Sequence, residues 1–158
     1  MYSIRGEKQM SEASRRNEIS APLRFEVELD GLFVGGFTEV TGLNSEIELV
    51  PYSEGGLNDY VHYFRKGVKN PRIVLKRGIT KSSDLWDWYA DALKGKIVRQ
   101  SGSIILNHIS GNEICRWNFL EAYPVKWSGP DMNSTSTSVA IESIELVHNG
   151  LKTVFSKK

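Results

Sequence analysis

Cys115 is the sequence's single cysteine, so no intramolecular disulfide can hold the fold, and a reducing compartment is the easier home. No apolar run exceeds a few residues, which excludes a transmembrane helix and gives no reason to expect membrane anchoring. Neither sign of charge is in excess: 20 basic residues face 19 acidic ones, for a formal charge of +1. A polyanion binder normally carries a positive field over one face, and this balance supplies none. Weak self-repulsion also favours association, a liability in a monomer but suitable in an assembly subunit. The opening MYSIRGEKQMSEASRRNEIS lacks the apolar core of a secretory signal, and Glu7, Glu12 and Glu18 do not suit a mitochondrial presequence. Residues 1–20 read as a polar N-terminal arm, mobile or conditionally ordered.

What is present suits one domain over residues 21–158, long enough to bury a core without metal or disulfide. Leu23, Phe25, Val27 and Leu29 alternate with polar residues, the period of a half-buried strand. Asp30-Gly31 supplies a tight hairpin turn, and the return strand runs from Leu32 to Val40, with a bulge or close approach expected at Gly35-Gly36. Thr41-Gly42-Leu43 predicts a turn, and Ser45 to Val50 a third strand. Residues 51–70 then form a long excursion, too polar for a core strand and too aromatic for a linker, with strand character at Tyr60 to Phe64. Arg72 to Arg77 resumes the alternation, with Ile73 and Leu75 inward.

One helix is predicted, Ser82 to Lys94, capped by Ser82 and closed at Lys94-Gly95. Leu85, Trp88, Tyr89, Ala92 and Leu93 form its apolar stripe, and Leu85, Trp88, Tyr89 and Leu93 are the expected core-facing residues. The rest is β: a hairpin of Ser103 to Ile109 with Glu113 to Leu120, an extension over Tyr123 to Trp127 bent at Pro124, a polar loop at Gly129 to Thr135, and a final strand from Val139 to Val147. Val139 and Ile141 are out of phase with Ile144 and Leu146, which predicts a slip near Glu142.

Reactive chemistry is sparse. His62, His108, His148 and Cys115 have no paired ligand spacing, so no metal site is expected. Asp84, Asp87 and Asp91 read as a solvated helix face. Gly35-Gly36 and Gly55-Gly56 do not open a helix or lead to a nucleotide-loop lysine, and the hydroxyls of 134–138 form no nucleophile elbow. No catalytic, cofactor-binding or metal-binding residue is assigned, and no cofactor is expected. Trp86, Trp117, Trp127, Tyr52, Tyr60, Tyr63 and Phe64 could stack nucleic-acid bases, but the balanced charge favours core and protein–protein contacts. A ligand-binding β-barrel is permitted by the aromatics yet lacks convergent polar groups, and an enzyme is a distant third reading.

A set of ordered segments carries a resemblance. These are Phe25-Glu26-Val27-Glu28-Leu29 with Gly31, Gly36-Phe37-Thr38-Glu39-Val40-Thr41-Gly42-Leu43, and Arg65-Lys66 ending the aromatic stretch. Ile73-Val74-Leu75-Lys76-Arg77-Gly78 and Leu85-Trp86-Asp87-Trp88 follow, then Trp117-Asn118-Phe119, Ala122-Tyr123-Pro124 and Ile144-Glu145-Leu146-Val147-His148. Over Pro22 to Leu151 the chain resembles the T4-like phage tail tube protein family, especially the inner tube proteins of contractile injection systems. The N-terminal arm is longer than a minimal member needs.

The resemblance implies a mainly β fold, a β-barrel or sandwich with one flanking helix like type VI secretion tube subunits. It implies a non-enzymatic structural role: six copies form a ring, and rings stack into a tube around a central channel inside a contractile sheath. Contraction drives the tube through a target envelope to deliver cargo. Implied partners are further copies, the sheath protein, the baseplate and tube-initiator proteins, a terminal cap protein, and protein cargo or phage DNA in the lumen. The resemblance leaves open a phage tube conducting DNA, or an initiator or tip-adaptor ring joining baseplate to tube. Assembly would take place in the producing cell's cytoplasm, within a particle that is cytoplasmic, docked at a membrane or thylakoid, or released. The 51–70 excursion corresponds to the family's hairpin-like interaction loop, making Tyr52, Tyr60, Tyr63, Phe64, Arg65 and Lys66 inter-subunit contacts. Glu26, Glu46 and Glu48 would face the lumen.

Overall fold

Alternation builds the first strand as expected in the computed structural model, which describes residues 23–53, 55–56, 60–131, 134–135 and 139–156. The N-terminal arm lies outside these. In β1 (Arg24–Leu29) Val27 and Leu29 are buried, while Glu26 and Glu28 lie on the outer face. Asp30 and Gly31 both have positive φ, 49° and 80°, and turn β1 into β2 (Leu32–Phe37). The pairing skips Val34, beside Gly35, so the expected bulge is present one residue early. The chain continues into β3 (Glu39–Thr41), then β4 (Glu46–Tyr52), β5 (His62–Lys69) and β6 (Ile73–Gly78). After α1 (Asp84–Leu93) come β7 (Gln100–Asn107), β8 (Glu113–Ser128), β9 (Ile141–Val147) and β10 (Gly150–Phe155).

Hydrogen bonding orders one large sheet β2-β1-β7-β8-β9-β6-β3, with β10 also on β8. Its terminal strands are consecutive in the chain. Between them Thr38 donates its backbone N–H and its hydroxyl to the Lys76 carbonyl, at 2.9 and 3.1 Å. The path therefore closes on itself as a barrel, which leaves few unpaired edges. β8 makes this possible. Its first half pairs β7 and β10, its second half pairs β9, and between them Glu121 takes a positive φ of 48°. The bend expected at Pro124 thus begins at Glu121, and Pro124 is followed by a bulge before Lys126.

The core fills the barrel with Val27, Phe37, Ile73, Leu75, Ile104, Phe119, Ile144 and Leu146. Gly102 lies in β7 because a Cβ there would overlap the Glu28 carbonyl oxygen and the Phe119 ring. One ion pair is built into the barrel. Arg77 Nε donates to Glu142 at 2.7 Å, the guanidinium lies 5.5 Å from the Phe37 ring centre, and Arg77 Nη2 is buried with no hydrogen-bond acceptor among the described residues.

Helix α1 packs on β8 through Leu85 and Trp88, and Trp88 Nε1 donates to the Val98 carbonyl at 2.8 Å. Tyr89 is half-buried, but Leu93 is 65% exposed, against expectation. At 100° per residue Leu93 shares a flank with Trp86, seven positions earlier, and not with Leu85. Ser83 is the N-cap residue, without a side-chain cap bond; Ser82 instead donates its hydroxyl to Asp84.

Two further expectations are corrected. The slip near Glu142 is absent from β9, whose pairing with β6 is unbroken. Glu142 faces inward to meet Arg77, and Val139 and Ile141 are simply exposed, so their phase needs no bulge. Nor do the strands end at Val147. β10 follows, and apart from half-buried Leu151 its side chains from Lys152 onward are exposed, leaving no hydrophobic period to read.

Candidate functional site

The sequence between Glu46 and Lys69 carries apolar residues on consecutive positions, so no single face can take them all inward. Structurally it becomes a separate two-stranded sheet of β4 and β5 that adds no residue to the buried core. The expected excursion at 51–70 is therefore half of a regular hairpin, here termed the outrigger, whose first strand runs through Pro51 and whose second extends to Lys69. At its root, Gly42 has φ +85°, and a Cβ there would overlap the Arg72 carbonyl. The two ends of the outrigger thus touch backbone to backbone as they leave and re-enter the barrel.

Register fixes the faces. Glu46 opposes Lys69 and Glu48 opposes Gly67; the pairing then skips Lys66, so Leu49 opposes Arg65, Val50 opposes Phe64 and Tyr52 opposes His62. Strand alternation puts Glu46, Glu48, Val50 and Tyr52 on one face with His62 and Phe64. That face carries an aromatic ladder: Tyr52 to Phe64 at 5.8 Å, Phe64 to His62 at 6.4 Å and His62 to Tyr60 at 4.8 Å between ring centres. The opposite face carries Ile47, Leu49, Val61, Tyr63, Arg65 and Val68. Both faces meet solvent, with Tyr63 64% and Phe64 58% exposed.

All six expected contact residues thus lie on the outrigger, but not together. Tyr52, Tyr60 and Phe64 share one face, Tyr63 and Arg65 the other, and Lys66 is the bulge residue. The aliphatic members Ile47, Leu49 and Val68 were not singled out from sequence, although Ile47 and Leu49 alternate with Glu46 and Glu48. Of the lumen candidates, Glu46 and Glu48 stand at the outrigger's root beside Lys66. Glu26 stands apart, on the barrel's outer face, where it accepts a hydrogen bond from Asn107 at 2.7 Å.

That outer face is polar and internally paired. Arg116 bridges Glu28 and Glu113 at 3.1 and 2.9 Å, and Ser103 bonds Asn118 at 2.7 Å. The Arg116 hydrogen bond, opposed by partial burial and aided by its charge, holds the Glu113 carboxyl below its ordinary value. The hydrogen bond to Glu113, with help from Glu28, correspondingly raises Arg116. On the β6–β9 side, Glu145 pairs with both Arg72 and Lys126, at 3.1 and 3.2 Å. Burial pushes that carboxyl up, but the two hydrogen bonds and two cations prevail and lower it.

The chemical candidates scatter. His62 is on the outrigger, His108 bonds Ser110 in the β7–β8 turn, and His148 lies between the Pro71 and Gly150 carbonyls. Cys115 is in the core, where burial pushes its thiol up. Among the described residues no three His, Cys, Asp or Glu side chains converge to hold a metal ion, and no helix is long and apolar enough to cross a membrane. The aromatics also divide: Trp86, Tyr89 and Trp127 cluster beside α1, with Trp86 5.4 Å from Trp127, and Trp117 packs against the core.

The fold is shared with solved structures. A chain in the sheath-tube complex of an extracellular contractile injection system, PVC, in its extended state superposes with a TM-score of 0.76 at 20% identity, covering 90% of this chain and 98% of that one. A chain in the anti-feeding prophage baseplate gives 0.71 at 22%, covering 86% and 94%. Hcp1 from Flavobacterium johnsoniae gives 0.52 at 16%, covering 84% and 96%. No curated protein matches the chain by sequence. The family model described as T4-like virus tail tube protein gp19 matches residues 21–152, nearly the whole barrel and the outrigger, and the chain belongs to that family.

Proposed function

We propose that this chain is the repeating subunit of an inner tube, in which six copies form a ring and rings stack around a central channel inside a contractile sheath. The carrying observation is the outrigger. It exposes apolar side chains on both faces, and nothing among the described residues covers them. A monomer leaves that area in water, whereas burying a Val, Leu, Ile or Phe side chain is worth about 1.5–3 kcal/mol. Contacts between unlike surfaces do not stop at a dimer; they close a ring or extend a filament.

In this role the tube is seated on a baseplate through a tube-initiator protein, ended by a cap protein, and driven through a target envelope when the sheath contracts. Transported protein is the cargo in this reading, and phage DNA is the alternative. Assembly in the cytoplasm of the producing cell belongs to the same reading, before docking or release of the particle. The channel wall has two candidate linings: the outer barrel face carrying Glu26, and the outrigger root with Glu46 and Glu48.

Negative-stain microscopy of the purified chain tests this. Hollow tubes with six-fold class averages are the expected result. Single rings that never stack would assign the chain to an initiator or adaptor position, and a persistent monomer would overturn the proposal.

A further inference from the structure

Every described glutamate of the barrel, Glu26, Glu28, Glu39, Glu113, Glu121, Glu142 and Glu145, is paired within the chain. By contrast, Glu46, Glu48, Arg65 and Lys66 on the outrigger and Asp87 on α1 have no partner among the described residues, Arg65 on the face opposite the two glutamates, and Asp84 bonds only the Ser82 hydroxyl. Both sets sit beside exposed apolar side chains. On the outrigger, Tyr63 precedes Arg65 on the same face. On α1, Trp86, Ala90 and Leu93 recur at spacings of four and three, and the Asp84–Asp87–Asp91 stripe runs alongside. The strip is firmly backed, because Trp86 rests on Trp127 and Tyr89.

We infer that the outer face of α1 is the receptor for the outrigger of a second copy of this chain. Tyr63 lies on the Trp86–Leu93 strip, and Arg65 meets Asp87, with Asp84 within reach. The occupant follows from complementarity: an aromatic next to a cation on one surface, an apolar strip next to carboxylates on the other. Aromatic and arginine side chains are the types that anchor interfaces. The contact joins two different surfaces, so each copy offers one of each and growth continues. This rests on the tube reading and adds to it the site where one subunit grips another. The opposite, aromatic-ladder face of the outrigger stays available for a separate contact.

The test is a charge swap with a cross-link. Arg65→Glu alone and Asp87→Arg alone are each expected to cut pelleted tube at least about tenfold, since like charges then face one another. The double variant is expected to recover most of it. Both positions are exposed, so an unchanged circular dichroism spectrum and melting temperature accompany each single change. Tyr63→Cys with Leu93→Cys, oxidised, is expected to give a ladder of covalent multimers that neither single cysteine gives. Single variants that assemble normally, a swap that restores nothing, or no ladder from wild-type-like tubes overturns the inference while leaving the tube reading intact. Variants that assemble but lose the sheath also overturn it, by turning the outrigger outward. A wild-type chain that forms no tubes refutes the tube reading instead; the cysteine ladder still decides the contact in any smaller oligomer.

Discussion

Trp88, with Leu85, seats α1 against β8. Its three-residue spacing from Leu85 marks the buried face of a helix, and it is 7% exposed with its indole N–H satisfied by Val98. Trp88→Ala is expected to lower stability by about 3–5 kcal/mol in urea titration, a cost dominated by the cavity. Arg77 shows what spacing cannot reveal. Alternation from Ile73 and Leu75 does point it inward, but a cation in a core is expected only with a partner, and Glu142 lies 65 residues away. Removing one charge, as in Glu142→Ala, leaves an unpaired buried guanidinium and is expected to cost about 3–5 kcal/mol. Replacing both together, Arg77→Met with Glu142→Leu, is expected to recover most of that loss in the same titration. A double variant no better than Glu142→Ala would show that the pair contributes more than its own desolvation.

At the scale of elements, the strands whose residues alternate were legible, and those that do not alternate were not. β1 and β6 each bury alternate side chains, so the sequence marks their bounds nearly to the residue. β10 has no buried face, so nothing in its sequence marks it as strand; its place is set by pairing with β8. The outrigger strands are poorly marked in the sequence for the related reason that both their faces are wet. Cross-strand ion pairs add a property that belongs to elements and not to single residues. Glu145 ties β9 to Arg72 at the start of β6 and to Lys126 on β8, and its carboxyl is held below the ordinary value of 4.5. A carboxyl lowered in the folded state stabilises it at pH above the unfolded value, and that contribution is lost as pH falls through the folded one. Acid titration should therefore unfold the wild type progressively below about pH 4.5, and Glu145→Gln should show a shallower acid limb and lower stability at neutral pH. Parallel acid limbs for the two proteins would remove Glu145 from the account.

For the whole molecule, near-zero net charge and surplus aromatic surface point the same way. The barrel satisfies itself, whereas the outrigger does not, and its exposed residues are those a neighbour would bury. Tyr63→Ser with Phe64→Ser removes one aromatic from each face. The variant is expected to keep the melting temperature of the monomer, since neither side chain touches the core, and to lose tubes in sedimentation and microscopy. Normal tubes from this variant would place assembly elsewhere on the surface. That exposed aromatics gather on the outrigger is legible from composition, because an aromatic-rich stretch without a core of its own leaves its rings in water. Their division between two faces is not, since it depends on the bulge at Lys66, where one skipped residue decides which side chains stand together.

The pinch at Gly42 and Arg72 gives the outrigger a mechanical character. Where two chain ends merely start near each other, a projecting hairpin can swivel like a flag on a cord. Here the ends bear on one another at the root, next to strands β3 and β6 that are locked into the barrel wall. A load applied at the tip is therefore passed straight into that wall. In the column of subunits proposed above, such a projection would work as a stiff bracket, so that advance of one subunit would compel advance of the next.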